Sequence, residues 1–198
     1  MTTLGDVFMR KGILLICSLL FLSGFTLTAQ EGKSPFVSRV GLVSSFKAHS
    51  IIILSNSDKK EDSFNSYFLS LDTYGLYSHI NDKAGVKAGV IHNSIIEKGF
   101  IDKSVAYIIY AGAGGVAGYV RDYSTIERNL GFIFGLNTSV GALASFKGSK
   151  LELGVEFDAE WAFQIRKMEE SDGRLGLSWY ANGILRALFP KISLFYRF

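Results

Sequence analysis

The sequence predicts an all-β protein: a closed antiparallel up-and-down transmembrane β-barrel of eight strands, with ten as the alternative count. Three observations carry that expectation. The N-terminus has the form of an export signal, the segment Leu151–Arg166 alternates apolar and polar residues almost without a break, and the last strand ends on Phe198.

Residues 13–22 (ILLICSLLFL) are almost wholly apolar and follow Arg10 and Lys11, and small or hydroxylated residues then lead to Thr28, Ala29 and Gln30. A basic stretch, an apolar stretch and a small residue at the cut describe a secretory signal peptide. Residues 1–29 are therefore expected to be removed, leaving 30–198 as the barrel domain, with Met9 as an alternative start. An uncleaved anchor is the rival, but the apolar run reaches about eighteen residues only when Ser, Gly and Thr are counted, the lower edge for a spanning helix. The single cysteine, Cys17, lies inside this segment and follows Leu14, Leu15 and Ile16, where a lipid-attachment site needs a small residue. The mature domain then has no thiol for a disulfide or a Cys-based metal site.

Charge is nearly balanced, with 21 Lys plus Arg against 18 Asp plus Glu, so nothing points to a nucleic-acid partner. Aromatic residues make up 14% of the chain, which favours strands. In LELGVEFDAEWAFQIR, Leu151, Leu153, Val155, Phe157, Ala159, Trp161, Phe163 and Ile165 share one parity. Glu152, Glu156, Asp158, Glu160 and Arg166 share the other. Side chains alternate across a strand, so this segment has one apolar and one charged face, whereas a helix would scatter the carboxylates around its circumference. It is also about three times as long as a usual globular strand, as a tilted membrane strand can be.

The remaining strands are expected at Arg39–Lys47, Tyr67–Thr73, Val86–Asn93, Ser104–Val120, Leu130–Phe146 and Leu175–Arg186, with the C-terminal strand as the eighth. Polar connections separate them, and Gly148 in KGSK suits a tight hairpin. One feature resists the count: KGSK and Ala187–Pro190 are short where long external loops are expected. A short helix across Asn182–Phe189 is an alternative there.

Lipid does not accept four carboxylates, so the charged face should line the lumen. Arg39, Lys87, Arg186, Lys191 and Arg197 also fall on parities that can face inward. In an eight-stranded barrel the interior is just wide enough for side chains to fill. The expectation is a lumen ion-pair network of Glu152, Glu156, Asp158, Glu160, Arg39, Arg186 and Arg197 that closes the interior. A catalytic or conducting role for the carboxylates is the sharper alternative.

Other chemical motifs have structural explanations. Gly112-Ala113-Gly114-Gly115-Val116-Ala117 matches GxGxxA, but no βαβ alternation follows it. Gly112, Gly114 and Gly118 share one parity, which reads as a strand face that leaves room for bulky neighbours. His49, His79 and His92 have no metal-ligand spacing, and no cofactor or metal is expected. His92 and Ser94 share a strand face, the only hint of a lipid-modifying enzyme, and there is no GxSxG. Trp161, Trp179, Tyr180 and Tyr196 are candidates for aromatic belts at the membrane surfaces.

In the final segment Ile192, Leu194, Tyr196 and Phe198 alternate with Lys191, Ser193, Phe195 and Arg197. This resembles the terminal strand of bacterial outer-membrane barrels, whose apolar residues and final Phe are read by the barrel-assembly machinery. With the signal ending in Ala29-Gln30, the Tyr110–Gly114 stretch and Gly118-Tyr119-Val120, the chain resembles small outer-membrane β-barrel proteins of Bacteroidota. The resemblance implies residence in the outer membrane of a Gram-negative-type cell, with membrane lipid and the assembly machinery as partners. It supplies no catalytic residues. The expected function is non-enzymatic, in envelope integrity or surface contact through loops, with a lipid-modifying enzyme, a narrow pore or a small-molecule binder as alternatives.

Overall fold

The computed structural model describes residues 39–45, 48–56, 62–73, 84–122, 130–167 and 174–198, with the backbone alone at Asn56 and Arg186. Among the described residues there are nine strands: β1 Arg39–Ser44, β2 Ala48–Asn56, β3 Ser63–Asp72, β4 Gly85–Phe100, β5 Val105–Arg121, β6 Leu130–Phe146, β7 Leu151–Lys167, β8 Leu175–Trp179 and β9 Lys191–Arg197. A short helix, α1 (Ala181–Leu185), and a 3-10 turn at Arg186–Leu188 separate β8 from β9.

Every pairing is antiparallel, and consecutive strands β1 to β7 are neighbours. β9 pairs with both β7 and β1 and so closes the ring. β8 also pairs with β7, at Phe163–Lys167, while β9 takes Leu151–Glu156 of the same strand. β8 and β9 are therefore two parts of one stave, interrupted by α1, and the wall is an eight-strand closed barrel with a mean axis distance of 9 Å.

The stagger follows from the register. From Val40, pairing one way leads through Tyr196 to Leu151. The other way it leads through Ile53, Tyr67, Val90, Gly115 and Leu136 to Trp161. The two routes reach β7 ten residues apart (161 − 151). Such a stagger goes with strand tilts of about 35–45°.

The count of eight stands, but its composition differs from the sequence-based expectation. β2 was not anticipated, because Ile52 and Leu54 face inward and are buried, which erases the alternation expected of a polar interior. Leu175–Arg186 and the C-terminal segment, expected as two staves, form one. The short connections then fall into place. KGSK (147–150) joins β6 to β7 at the end holding Arg39 and Arg197, together with 57–62 and 101–104. The strand ends that flank 45–47, 73–84, 122–129 and 168–174 lie at the opposite end, the loop end. Gly148 has φ of 77°, the left-handed region a tight turn of this kind favours.

Candidate functional site

β7 builds the interior. Glu152, Gly154, Glu156, Asp158, Glu160, Ala162 and Gln164 are all buried, while their neighbours Leu151, Leu153, Val155, Phe157, Trp161 and Phe163 are exposed. The strand is held on one side by β6 along nearly its whole length, which fixes this parity rigidly.

The interior falls into layers. Towards the end holding Arg39 and Arg197, Ile52, Leu54, Phe64, Tyr110, Leu143 and Phe195 pack with Val43 into an apolar cluster. Phe64 meets the Tyr110 ring edge-on at 5.1 Å. Towards the loop end, Val120, Ile133, Ala162 and Tyr180 form a second apolar cluster. The charged residues of mid-β7 lie between the two.

Lys87 is fully buried, and its Nζ donates to both oxygens of Glu160 at 2.7 and 2.8 Å. Asp72 Oδ2 lies 3.9 Å from the same nitrogen, and the Tyr180 ring stands 5.9 Å away. Lys191 Nζ lies 2.7 Å from Asp158 Oδ2. Glu156 accepts a hydrogen bond of 2.9 Å from the Tyr110 hydroxyl. Nearer the terminal rim, Glu152 has Arg39 Nε at 2.6 Å and Arg197 Nη1 at 3.7 Å, and accepts from Ser145 Oγ at 2.7 Å. Removing one partner of such a buried pair leaves an uncompensated charge, which is far more unfavourable than the pair itself.

The structure thus brings Glu152, Arg39 and Arg197 together at one rim. Deeper in, the closest partners of Glu156, Asp158 and Glu160 are Tyr110, Lys191 and Lys87, with Lys191 also opposite Glu156 in the register. The side chain of Arg186 lies outside those described. Lys87 and Lys191, read from the sequence as inward-facing but not assigned to the network, hold the two deepest pairs. Tyr110 and Asp72 were missed: an aromatic inside a glycine-rich run and an acid at a strand end carry no parity signal.

The glycine face of β5 has a defined use. Gly112 and Gly118 point inward, and a Cβ there would run into Asn93 Oδ1 and Lys87 Cγ respectively. Bare backbone on β5 makes room for polar side chains of β4. His92 and Ser94 do share a face, but it is the outer one, where His92 Nδ1 lies 2.8 Å from Asn65 Oδ1 rather than against an acid. His49 contacts Ser44 Oγ, and no metal-binding cluster occurs among the described residues. His79 lies outside them. Trp179 is exposed on the outer wall, stacked edge-on against Phe163 at 5.3 Å, and Tyr196 packs likewise on Phe198. Tyr180 does not join a belt. Its position is one residue on from Trp179, so its ring turns inward and is fully buried.

No protein family, curated protein or solved structure matches this chain. What stands is an eight-strand barrel with many exposed apolar residues and buried polar ones, a distribution consistent with a membrane barrel. No described helix is long and apolar enough to cross a membrane, which leaves crossing by strands open.

Proposed function

We propose that this protein is exported under the direction of residues 1–29 and resides in the outer membrane of a Gram-negative-type cell as a non-enzymatic barrel with a closed lumen. It serves envelope integrity, or surface contact through the loop-end connections. The observation that carries the proposal is the inverted burial of β7, with carboxylates inside and Leu, Val, Phe and Trp outside. A water-soluble barrel needs the opposite arrangement, whereas hydrocarbon selects this one.

Two further features support it. The charges of mid-β7 sit between two apolar clusters, an arrangement that favours a filled lumen over a water-lined one. Ile192, Leu194, Tyr196 and Phe198 all point outward on the closing stave, where an assembly machine reading the last strand would meet them. The likeness of the signal and terminal strand to small Bacteroidota barrels agrees with this placement.

Fractionation of expressing cells, with protease added to intact cells, tests the placement. The protein should partition with outer membranes, migrate faster unheated than boiled in detergent gels, and be cut only in the loop-end connections. A processed form that is freely soluble without detergent would overturn the proposal. In planar bilayers the protein should give no conductance steps. Reproducible steps would replace the closed interior with a pore.

A further inference from the structure

The apolar outer wall is lopsided. On β7 every outward residue from Leu151 to Ile165 is apolar, a run of about 46 Å along the strand and about 35 Å along the axis at the tilt expected. On β3 the outward run is Tyr67, Leu69 and Leu71, preceded by Ser63 and Asn65. On β4 it is Val86, Ala88 and Val90, followed by His92 and Ser94, with Ile96 exposed beyond them next to a register irregularity. On β2 only Ile51 and Ile53 stand between His49 and Ser55. Within the described strands these runs span about 10 Å or less along the axis.

The polar residues that bound the short face are paired across strands: Ser44 Oγ with His49 Nδ1, and Asn65 Oδ1 with His92 Nδ1, each at 2.8 Å. Tilting the whole barrel would shift the short band in the bilayer but could not lengthen it, because β2 carries polar residues on both sides. A hydrocarbon layer of uniform thickness would therefore submerge one or both polar rows on this face while matching β7.

We propose that the β1–β4 face holds the adjacent bilayer thin, with lipid headgroups drawn inward to the Asn65–His92 and Ser44–His49 pairs. This rests on the membrane reading above. The bound partner is lipid, and the physical basis is hydrophobic mismatch, which bilayers accommodate by local thinning at modest cost per ångström.

Position supplies a matched control. The pairing row from His92 passes through Ala113 and Thr138 to Ala159. The stagger lifts that row by about 9 Å towards the loop end, and four residues back along β7 return it to the same level at Val155. His92 and Val155 thus lie at one height on opposite faces.

The test uses the whole protein with Trp161 and Trp179 changed to Phe, carrying a single His92→Trp or Val155→Trp. It is folded at low density into phosphatidylcholine vesicles brominated either near the headgroup or near the chain end. Trp at 155 should be quenched more by deep bromine. Trp at 92 should be quenched more by shallow bromine, with deep quenching about two-fold weaker than at 155. Asn65→Trp should behave as His92→Trp and serves if that variant does not fold. Equal deep quenching at both heights would overturn the proposal. So would a Trp at 92 reached by neither bromine, which would mean protein covers this face. If Trp at 155 also escapes quenching, the membrane reading itself falls.

Discussion

Lys87 of β4 and Glu160 of β7, 73 residues apart in the chain, meet inside the barrel with Nζ 2.7 and 2.8 Å from the two carboxylate oxygens. Neither side chain is more than 1% exposed, so each charge is neutralised by protein groups rather than by bulk water. Lys87→Met should destabilise the barrel by about 3–5 kcal/mol by removing the closest cation from Glu160 and Asp72. Lys87→Met combined with Glu160→Leu should recover most of that loss, because the pair itself contributes little net stability. Urea unfolding in detergent micelles reads both, and a double variant as unstable as the single one would refute the assignment.

Glu156 and Asp158 are successive inward residues of β7 with unlike partners, a hydroxyl from Tyr110 and the ammonium of Lys191. Asp158→Ala takes the 2.7 Å partner from the Lys191 ammonium, leaving it Glu156 opposite in the register, and should cost up to about 3–5 kcal/mol. Tyr110→Phe removes one hydrogen bond to a carboxylate and should cost about 1.5–3 kcal/mol. The order of the two unfolding midpoints checks the partner assignment: a Tyr110→Phe variant less stable than Asp158→Ala would contradict it.

How far the fold was legible depends on which layer of the lumen a strand crosses. β7 runs through the charged layer, so its parity announces both faces. β2 runs beside Phe64 and Tyr110, where its inward Ile52 and Leu54 are as apolar as its outward Ile51 and Ile53, and periodicity vanishes. The broken stave was legible only as an alternative, the short helix across Asn182–Phe189 that the structure places at 181–188, for a different reason. Tyr180 and Asn182 continue the parity of β8, but α1 is anchored by Asp122, whose Oδ2 accepts from the Ala181 backbone N–H at 2.9 Å from 59 residues away. Parity likewise tells which residues face the lumen and not which cation reaches which acid. That depends on the ten-residue stagger, a property of the closed ring that no single strand encodes.

The KGSK turn offers a local test. Gly148 sits at φ 77°, where an L side chain is strained, and nothing lies within 4 Å of where a Cβ would be. The penalty of substitution is then conformational alone, with no steric part. Gly148→Ala should lower stability by about 1–2 kcal/mol, and Gly148→Asn by less, since Asn tolerates this region better. Equal midpoints for Ala and Gly would show that the turn relaxes to another conformation.

The ring is closed by β1 and β9, which share only six register pairs, from Arg39–Arg197 to Ser44–Ile192. In the middle of this seam Gly41 faces Phe195, whose ring is 3% exposed and lies where a Cβ of residue 41 would be. The glycine is thus part of the packing of the aromatic ring, which covers bare backbone and joins the lower apolar cluster. Gly41→Ala should push the ring aside and destabilise the barrel by about 1–3 kcal/mol, as overpacking does. Phe195→Leu alone loses packing within the apolar cluster and should also destabilise. Together the two substitutions should cost less than their sum, because the smaller side chain vacates the space the new methyl needs. A double-mutant cycle on the urea midpoints measures this coupling. Strict additivity would mean that the two residues do not share the seam, and the closure of the barrel through β1 and β9 would have to be redrawn.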